Sequence, residues 1–168
     1  MRTIATLPRW RRSILGLAVV LALLALFTSL AVSTVHEAAL RTKQKRTLVA
    51  MRSLGAAVDD YALDHGRYPR IPPPPAAVDI GLRAGPWSRS EPRAVGDLRS
   101  VLEPGYIKIL PTTDGWGSAI YYDSDGKHYA VIAPAKGGTF ESWTWPRSGP
   151  GTSWREDFLF SDGSFVKW

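Results

Sequence analysis

Cysteine is absent from this sequence of 168 residues. Its absence excludes a disulfide framework, a thiolate nucleophile and a zinc site built on thiolates, but it does not identify the cellular compartment. Histidine is also scarce, and none of the three, His36, His65 and His128, has the His-x-x-x-His spacing of a metal site. The chain has no nucleophile elbow, no Walker-type phosphate loop and no dinucleotide fingerprint. No motif points to an enzyme, and we predict no catalytic residue and no cofactor-binding residue.

Acidic residues are few in the first part of the chain. Residues 1–70 hold 11 Lys and Arg against 4 Asp and Glu, whereas residues 71–168 hold 10 against 11. The formal net charge of +6 is therefore concentrated around one segment and does not cover a folded domain. A nucleic-acid-binding face needs clustered positive charge on the domain itself, so we expect no nucleic-acid partner.

An uncharged stretch extends from Ser13 to Val35 and contains the apolar run ILGLAVVLALLALFTSLAV, Ile14 to Val32. Nineteen residues rise about 28 Å as an α-helix, close to the hydrocarbon thickness of a bilayer. We therefore predict a single transmembrane helix over residues 14–35, preceded by a short basic cytoplasmic N-terminus over residues 1–13.

A cleaved signal peptide is the alternative interpretation of the same run. Ser29-Leu30-Ala31 would be its small-x-small cleavage site, and the mature chain would then begin at Val32. The run is longer than the core of about 7–15 residues that is usual in a cleaved signal, which favours an uncleaved anchor. Basic residues flank both ends of the run, so the positive-inside rule alone does not decide its orientation.

The segment that follows has the pattern of an amphipathic helix, predicted over residues 36–65 and continuing into a globular head. It contains no helix breaker, and its apolar residues recur at spacings of three and four. These residues are Leu48, Met51, Leu54, Gly55, Val58, Tyr61 and Ala62. The simplest account is one long helix from about Arg12 to about Asp64. The alternative is two helices with a bend near Val35.

Residues 66–168 are predicted to form the globular head. Residues 66–96 include four consecutive prolines and predict a long surface loop, and residues 97–103 predict one or two helical turns. Two β-hairpins follow. Their strands are residues 119–122 with 128–133 across Asp123–Gly126, and residues 157–160 with 165–168 across Ser161–Ser164, separated by a loop over residues 136–155. The predicted fold class is α+β, a long N-terminal helix packed on a small antiparallel sheet.

Three features of the head have both a chemical and a structural interpretation. Asp64-His65 could be a catalytic pair, but a polar pair in a last helical turn is simpler. Asp123–Gly126 opens like a calcium loop, yet it is short and also fits a plain turn. Trp143 and Trp145 could form a ligand platform or could pack a loop over the sheet.

The order of four segments resembles the type IV pilin-like proteins, and most closely the major pseudopilins of type II secretion systems. The helix end LDHGRYP (63–69) is followed by YIKILP (106–111), DGWGSAIYY (114–122) and YAVIAPAKGG (129–138). In that family a D-N-G-x-Y-P helix end precedes Y-[IL]-x-x-L-P-x-D-P-W-G-x-P-Y-x-Y. The resemblance covers residues 37–138 together with a terminal hairpin.

This resemblance implies a pilin-like fold and a non-enzymatic structural role. It implies a single-pass inner-membrane protein with its head in the periplasm, which assembles through its N-terminal helix. The expected partners are the inner membrane and other pilin-like subunits or secretion-system components. The alternative function is a membrane-anchored periplasmic binding module whose pilin-like head does not form filaments, and a third is an exported hydrolase with a cleaved signal.

Several positions depart from the family pattern. Gly16 is the only glycine in the apolar run, and the fifth residue after it is Leu21 where the family places a glutamate. Gly115 replaces the proline of the D-P-W-G motif. The family's calcium loop would follow Gly137-Gly138, where closely spaced aspartates are missing. We expect no cofactor, and the candidate calcium ligands are Glu141, Asp157 and Asp162.

Overall fold

The structure is a computed structural model that describes residues 9–71, 92–138, 149–151 and 153–168. The chain divides into two compact units, residues 1–40 and residues 41–168. A single α-helix, α1 (Arg9–His65), belongs to the first unit and provides the first element of the second. The prediction of one long N-terminal helix is therefore confirmed.

The second unit contains a five-stranded antiparallel sheet whose strands follow one another in chain order. The strands are β1 (Arg93–Ala94), β2 (Tyr121–Ser124), β3 (Tyr129–Ala133), β4 (Phe158–Ser161) and β5 (Ser164–Lys167). Two 3₁₀ turns, Val95–Leu98 and Ala135–Gly137, and one short helix, α2 (Arg99–Leu102), complete the elements of the described residues. All five residues of the central strand β3 are buried. The predicted α+β class is confirmed.

The first hairpin forms, but its predicted turn is wrong by two residues. Asp123 and Ser124 lie in β2, so the turn spans residues 125–128 and not 123–126. The side chain of Asp125 fixes the turn, because its Oδ1 accepts hydrogen bonds from the backbone N–H groups two and three residues later, at 2.8 and 2.7 Å. The calcium-loop interpretation treated residues 123–126 as one loop, but the first two lie in β2 and the last two lie in the turn.

Two further boundaries differ from the prediction. The second hairpin turns at Asp162-Gly163, whose φ angles of +46° and +80° fit a two-residue turn of the primed type. The loop predicted over residues 66–96 is wrong at its end, because β1 lies within it and pairs with β2 at the edge of the sheet. A two-residue strand is too short to show an alternating pattern in the sequence. The predicted turns of helix at residues 97–103 begin two residues earlier, with the 3₁₀ turn.

The hydrophobic core lies between α1 and one face of the sheet. The helix contributes Met51, Leu54 and Val58, which are completely buried, as their spacing predicts. The sheet side of the cluster consists of Tyr122, Tyr129, Val131, Ala133, Phe158 and Phe160. Helix and sheet approach closely at Gly55, where an added Cβ would overlap the ring of Phe160.

Candidate assembly surface and helix-end motif

The first unit presents an apolar helix surface. Nine of its large apolar side chains are between 49% and 66% exposed: Ile14, Leu17, Val19, Val20, Leu21, Leu23, Leu24, Leu26 and Phe27. Consecutive members of this set point in different directions around a helix, so the apolar surface surrounds it. Among the described residues, α1 is the one helix long and apolar enough to cross a membrane. Such a surface requires an apolar environment, either lipid or other helices.

Two polar side chains in this segment form hydrogen bonds within the helix. Thr28 Oγ1 donates a hydrogen bond to the Leu24 carbonyl at 2.6 Å, and Ser29 Oγ donates one to the Leu26 carbonyl at 2.8 Å. Both hydroxyls are therefore compatible with a lipid environment. Leu21, at the position of the family's glutamate, is 57% exposed. This part of the helix thus offers neighbouring helices apolar contacts and no carboxylate.

The helix ends where the LDHGRYP motif predicts. Gly66 has a φ of +69°, and its N–H donates a hydrogen bond to the Ala62 carbonyl at 2.8 Å. A residue in the left-handed conformation after the last helical turn is a common helix stop, and glycine adopts that conformation without a Cβ penalty. The helix-end interpretation of the motif is therefore supported by its geometry.

Asp64 and His65 belong to an aromatic contact at this helix end. The ring of His65 stacks on that of Tyr61 with centroids 3.9 Å apart, and its Nδ1 lies 3.0 Å from the Tyr61 carbonyl. Tyr106 donates a hydrogen bond from its hydroxyl to Asp64 Oδ2 at 3.0 Å. Tyr106 opens the YIKILP segment, so these contacts join two of the segments on which the family resemblance depends. They give both polar residues a structural role.

The residues after the helix bind the first hairpin. The N–H of Tyr68 donates a hydrogen bond to the Gly126 carbonyl at 3.0 Å, and Tyr122 donates one from its hydroxyl to the Pro69 carbonyl at 2.9 Å. The ring of Tyr68 packs on Tyr129 with centroids 4.7 Å apart. The Tyr-Pro pair therefore fastens the chain that leaves α1 to the β2–β3 hairpin.

A polar contact between α1 and the second hairpin could not be seen in the sequence. The Tyr129 hydroxyl donates to Asp59 Oδ2 at 3.3 Å and accepts a hydrogen bond from the N–H of Gly163 at 3.1 Å. Burial raises the pKa of Asp59, and the hydrogen bond from Tyr129 partly offsets this effect. Burial, together with the charge of Asp59, also raises the pKa of the Tyr129 phenol.

The DGWG loop contacts α1 directly. Asp114 Oδ1 accepts hydrogen bonds from the N–H groups of Trp116 and Ser118, at 2.8 and 2.9 Å, and so shapes the loop. The N–H of Gly115 donates to Thr47 Oγ1 at 2.8 Å. Burial raises the pKa of Asp114, although backbone N–H groups hold it down in part. Proline at position 115 would remove the donor for Thr47, which gives the departure from the family pattern a local reason.

The candidate calcium ligands are placed as follows. Asp162 Oδ1 accepts a hydrogen bond from the N–H of Tyr129 at 2.9 Å, and Oδ2 lies 3.1 Å from His128 Nδ1. Asp157 lines a cleft of about 320 Å³ together with Trp154 and Trp168. Glu141, like the proposed ligand platform of Trp143 and Trp145, lies outside the described residues. Within the described ranges no three His, Asp or Glu side chains are grouped as a metal site. The expectation that the chain binds no cofactor is not tested by these contacts, and neither is the role of the three residues as candidate calcium ligands.

Two curated proteins are similar to the chain over most of its length. Type II secretion system core protein G of Klebsiella pneumoniae is 31% identical over 119 residues, which cover 71% of this chain and 77% of that protein. Type II secretion system core protein G of Aeromonas hydrophila is 30% identical over 115 residues, 68% of this chain and 73% of that protein. No family model and no solved structure matches the chain.

Proposed function

The chain belongs to the family of type II secretion system core protein G, the major pseudopilins, and from this membership we propose that it is a structural subunit without catalytic activity. In this proposal, residues 14–35 hold it in the inner membrane as a single span, residues 1–13 are cytoplasmic, and the head is periplasmic. The partners are other pilin-like subunits or secretion-system components, which it contacts through the N-terminal helix.

The exposed apolar surface of α1 is the observation that carries this proposal. Side chains such as Leu17 and Val19, 62% and 58% exposed, lie on opposite sides of the helix. Burying apolar surface is worth about 25 cal/mol per Å², so a bilayer or neighbouring apolar helices stabilise this segment, whereas water does not. The orientation, with the head in the periplasm, is taken from the family membership, because basic residues flank both ends of the run.

A second candidate function is a membrane-anchored periplasmic binding module that does not form filaments. Two observations favour it: Leu21 replaces the glutamate of the family, and the head contains the cleft lined by Trp154, Asp157 and Trp168. Tryptophan faces and a carboxylate are groups that bind small or cationic ligands. Genes for a secretion ATPase, a polytopic platform protein or other pilin-like chains beside this one would favour assembly over this alternative.

N-terminal sequencing of protein extracted from membranes tests the anchor. An uncleaved anchor gives a chain that begins at Met1, and prepilin-type processing gives one that begins at Leu17. A membrane-bound chain that begins at either residue supports the proposal. A soluble chain that begins at Val32 contradicts it and favours an exported protein with a cleaved signal.

A further inference from the structure

The cleft of about 320 Å³ lies entirely within the second unit and is lined by α1 and by the C-terminal part of the chain. Its volume falls at the lower end of the range for small-molecule sites, about 300–1,000 Å³. Its lining includes three aromatic and three polar side chains: Trp154, Phe158, Trp168, Gln44, Glu156 and Asp157. Aromatic walls with a few polar groups are the usual composition of a small-molecule site.

The fold itself places the aromatic residues of the cleft. The ring of Phe158 is buried and stacks on that of Trp116, with centroids 6.1 Å apart. The carbonyl of Trp154 accepts a hydrogen bond from the N–H of Lys136 at 3.0 Å, which joins its backbone to the 3₁₀ turn after β3. Trp168 follows β5 directly. The walls are therefore positioned before a ligand arrives, which lowers the entropy cost of binding.

The charge of the lining favours a cation. Among the residues that the structure describes, the ionisable side chains that line the cleft are both acids, Glu156 and Asp157. Neither carboxylate is free, because Glu156 Oε2 lies 2.8 Å from Lys167 Nζ and Asp157 also interacts within the protein. A ligand that had to take over these oxygens would first have to displace their present partners. The carboxylates therefore suit a cation that needs their field and not their lone pairs.

The aromatic walls select the kind of cation. The face of an aromatic ring attracts a cation that lies within about 6 Å of the centroid, and tryptophan does so most strongly. Calcium requires six to eight oxygen ligands, and a primary ammonium is strongly hydrated and carries three N–H donors. A quaternary ammonium carries no N–H donor, so ring faces and a nearby negative field are sufficient for it.

We propose that the cleft binds a small organic cation whose charged group is a quaternary ammonium. The rings of Trp154 and Trp168 contact its methyl groups, the two acids supply the negative field, and Gln44 offers hydrogen bonds to the rest of the ligand. The inference rests on the second candidate function, the binding module, and names its ligand class. It does not require α1 to assemble with other subunits.

The test compares choline with dimethylbutanol, its neutral carbon isostere. Isothermal titration calorimetry of the full-length chain in detergent measures both dissociation constants, with sodium chloride as the control for ionic strength. Trp168→Leu removes one ring, and Asp157→Asn removes one charge. The matched control is Asp97→Asn, because Asp97 is also an acid with a partner, Arg93 at 3.1 Å, but does not line the cleft. The circular-dichroism melting curve of each variant checks that the fold is retained.

We expect the wild-type chain to bind choline about fivefold more tightly than dimethylbutanol, the factor that a cation–π contact at a partly exposed site contributes. Trp168→Leu and Asp157→Asn should each lower this preference about twofold or more, and Asp97→Asn should keep it. Equal affinities of the wild-type chain for the two compounds, or binding of neither, would overturn the proposal without recourse to any variant. A preference that survives in both cleft variants would place the cation elsewhere and would also overturn it.

Failure of this proposal is distinct from failure of the anchor. A membrane-bound chain that begins at Met1 but does not prefer choline contradicts only the cleft proposal. A soluble chain that begins at Val32 contradicts the anchor, and the same titration of that chain still decides whether the cleft binds a quaternary ammonium.

Discussion

The backbone N–H of Gly115 donates a hydrogen bond to the Thr47 hydroxyl at 2.8 Å and so joins the DGWG loop to α1 across 68 residues of sequence. Thr47 is completely buried, and its own hydroxyl donates to the Lys43 carbonyl at 3.1 Å. A Cβ on Gly115 would overlap that same carbonyl. Glycine at position 115 therefore allows the loop backbone to lie directly on the helix.

Replacing Thr47 should destabilise the head. Thr47→Val keeps the shape but leaves the half-buried N–H of Gly115 without its acceptor, which costs about 0.5–1.5 kcal/mol. Thr47→Ser keeps the acceptor and should cost less. Urea unfolding of the full-length chain in detergent, followed by tryptophan fluorescence, measures both changes. Equal losses for the two variants would show that the hydrogen bond does not hold the loop.

Gly115→Ala should also destabilise the head, because the new methyl group displaces the loop from α1. Gly105→Ala is the matched control, since nothing lies within 4 Å of a Cβ at that position. We expect a clear decrease in melting temperature for the first variant and little change for the second. Similar melting temperatures would contradict the close approach of loop and helix.

Gly55→Ala tests the contact between α1 and the sheet. Alanine in place of glycine normally favours a helix by about 1 kcal/mol. Here the added Cβ overlaps the ring of Phe160, so we expect a net loss of stability of about 1–3 kcal/mol from overpacking. Combining it with Phe160→Leu removes the overlap, and the same glycine substitution should then be neutral or stabilising. Additive effects in this double-mutant cycle would refute the contact.

Asp114 should make the stability of the head depend on pH. Its pKa in the folded protein is raised above the ordinary value of 3.8, chiefly by burial, so the folded state binds the proton more tightly than the unfolded state. The stability that the bound proton adds to the folded state is fully present below pH 3.8, and it is lost as the pH rises through the raised pKa of Asp114. Asp114→Asn keeps the Oδ1 acceptor but has no proton to lose.

The unfolding free energy of Asp114→Asn, relative to the wild type, should therefore increase between pH 3.5 and pH 8. The lower pH lies below the ordinary aspartate pKa of about 3.9, and the higher pH lies well above it. A constant difference between the wild type and Asp114→Asn across this range would contradict the buried-carboxylate account.

Calcium should not stabilise the head. Both carboxylate oxygens of Asp162 already have partners in Tyr129 and His128, so a metal would have to share these oxygens with them. We expect the same melting temperature with excess calcium and with EGTA. An increase with calcium that is lost in Glu141→Gln, Asp157→Asn or Asp162→Asn would establish a calcium site, because a ligand that binds the folded state raises its stability.

Local patterns could be predicted from the sequence, whereas contacts between distant segments could not. The spacing of Met51, Leu54 and Val58 predicts the buried side of α1, and Gly66 with Pro69 predicts its end, because both signals lie within a few residues. The bonds from Tyr129 to Asp59 and from Gly115 to Thr47 join residues 70 and 68 positions apart. No periodicity or turn signal encodes such a pair, so only the folded arrangement reveals it.

Photo-cross-linking in intact membranes tests the central claim most directly, namely that the apolar helix assembles with other subunits. A photoreactive amino acid is placed at Leu17, Val20 or Leu24 on one face of α1, and at Val19 or Leu23 on another. The account predicts adducts with a second copy or another pilin-like chain, stronger from one face than from the other. Adducts with lipid alone at all five positions would contradict assembly and would favour the membrane-anchored binding module.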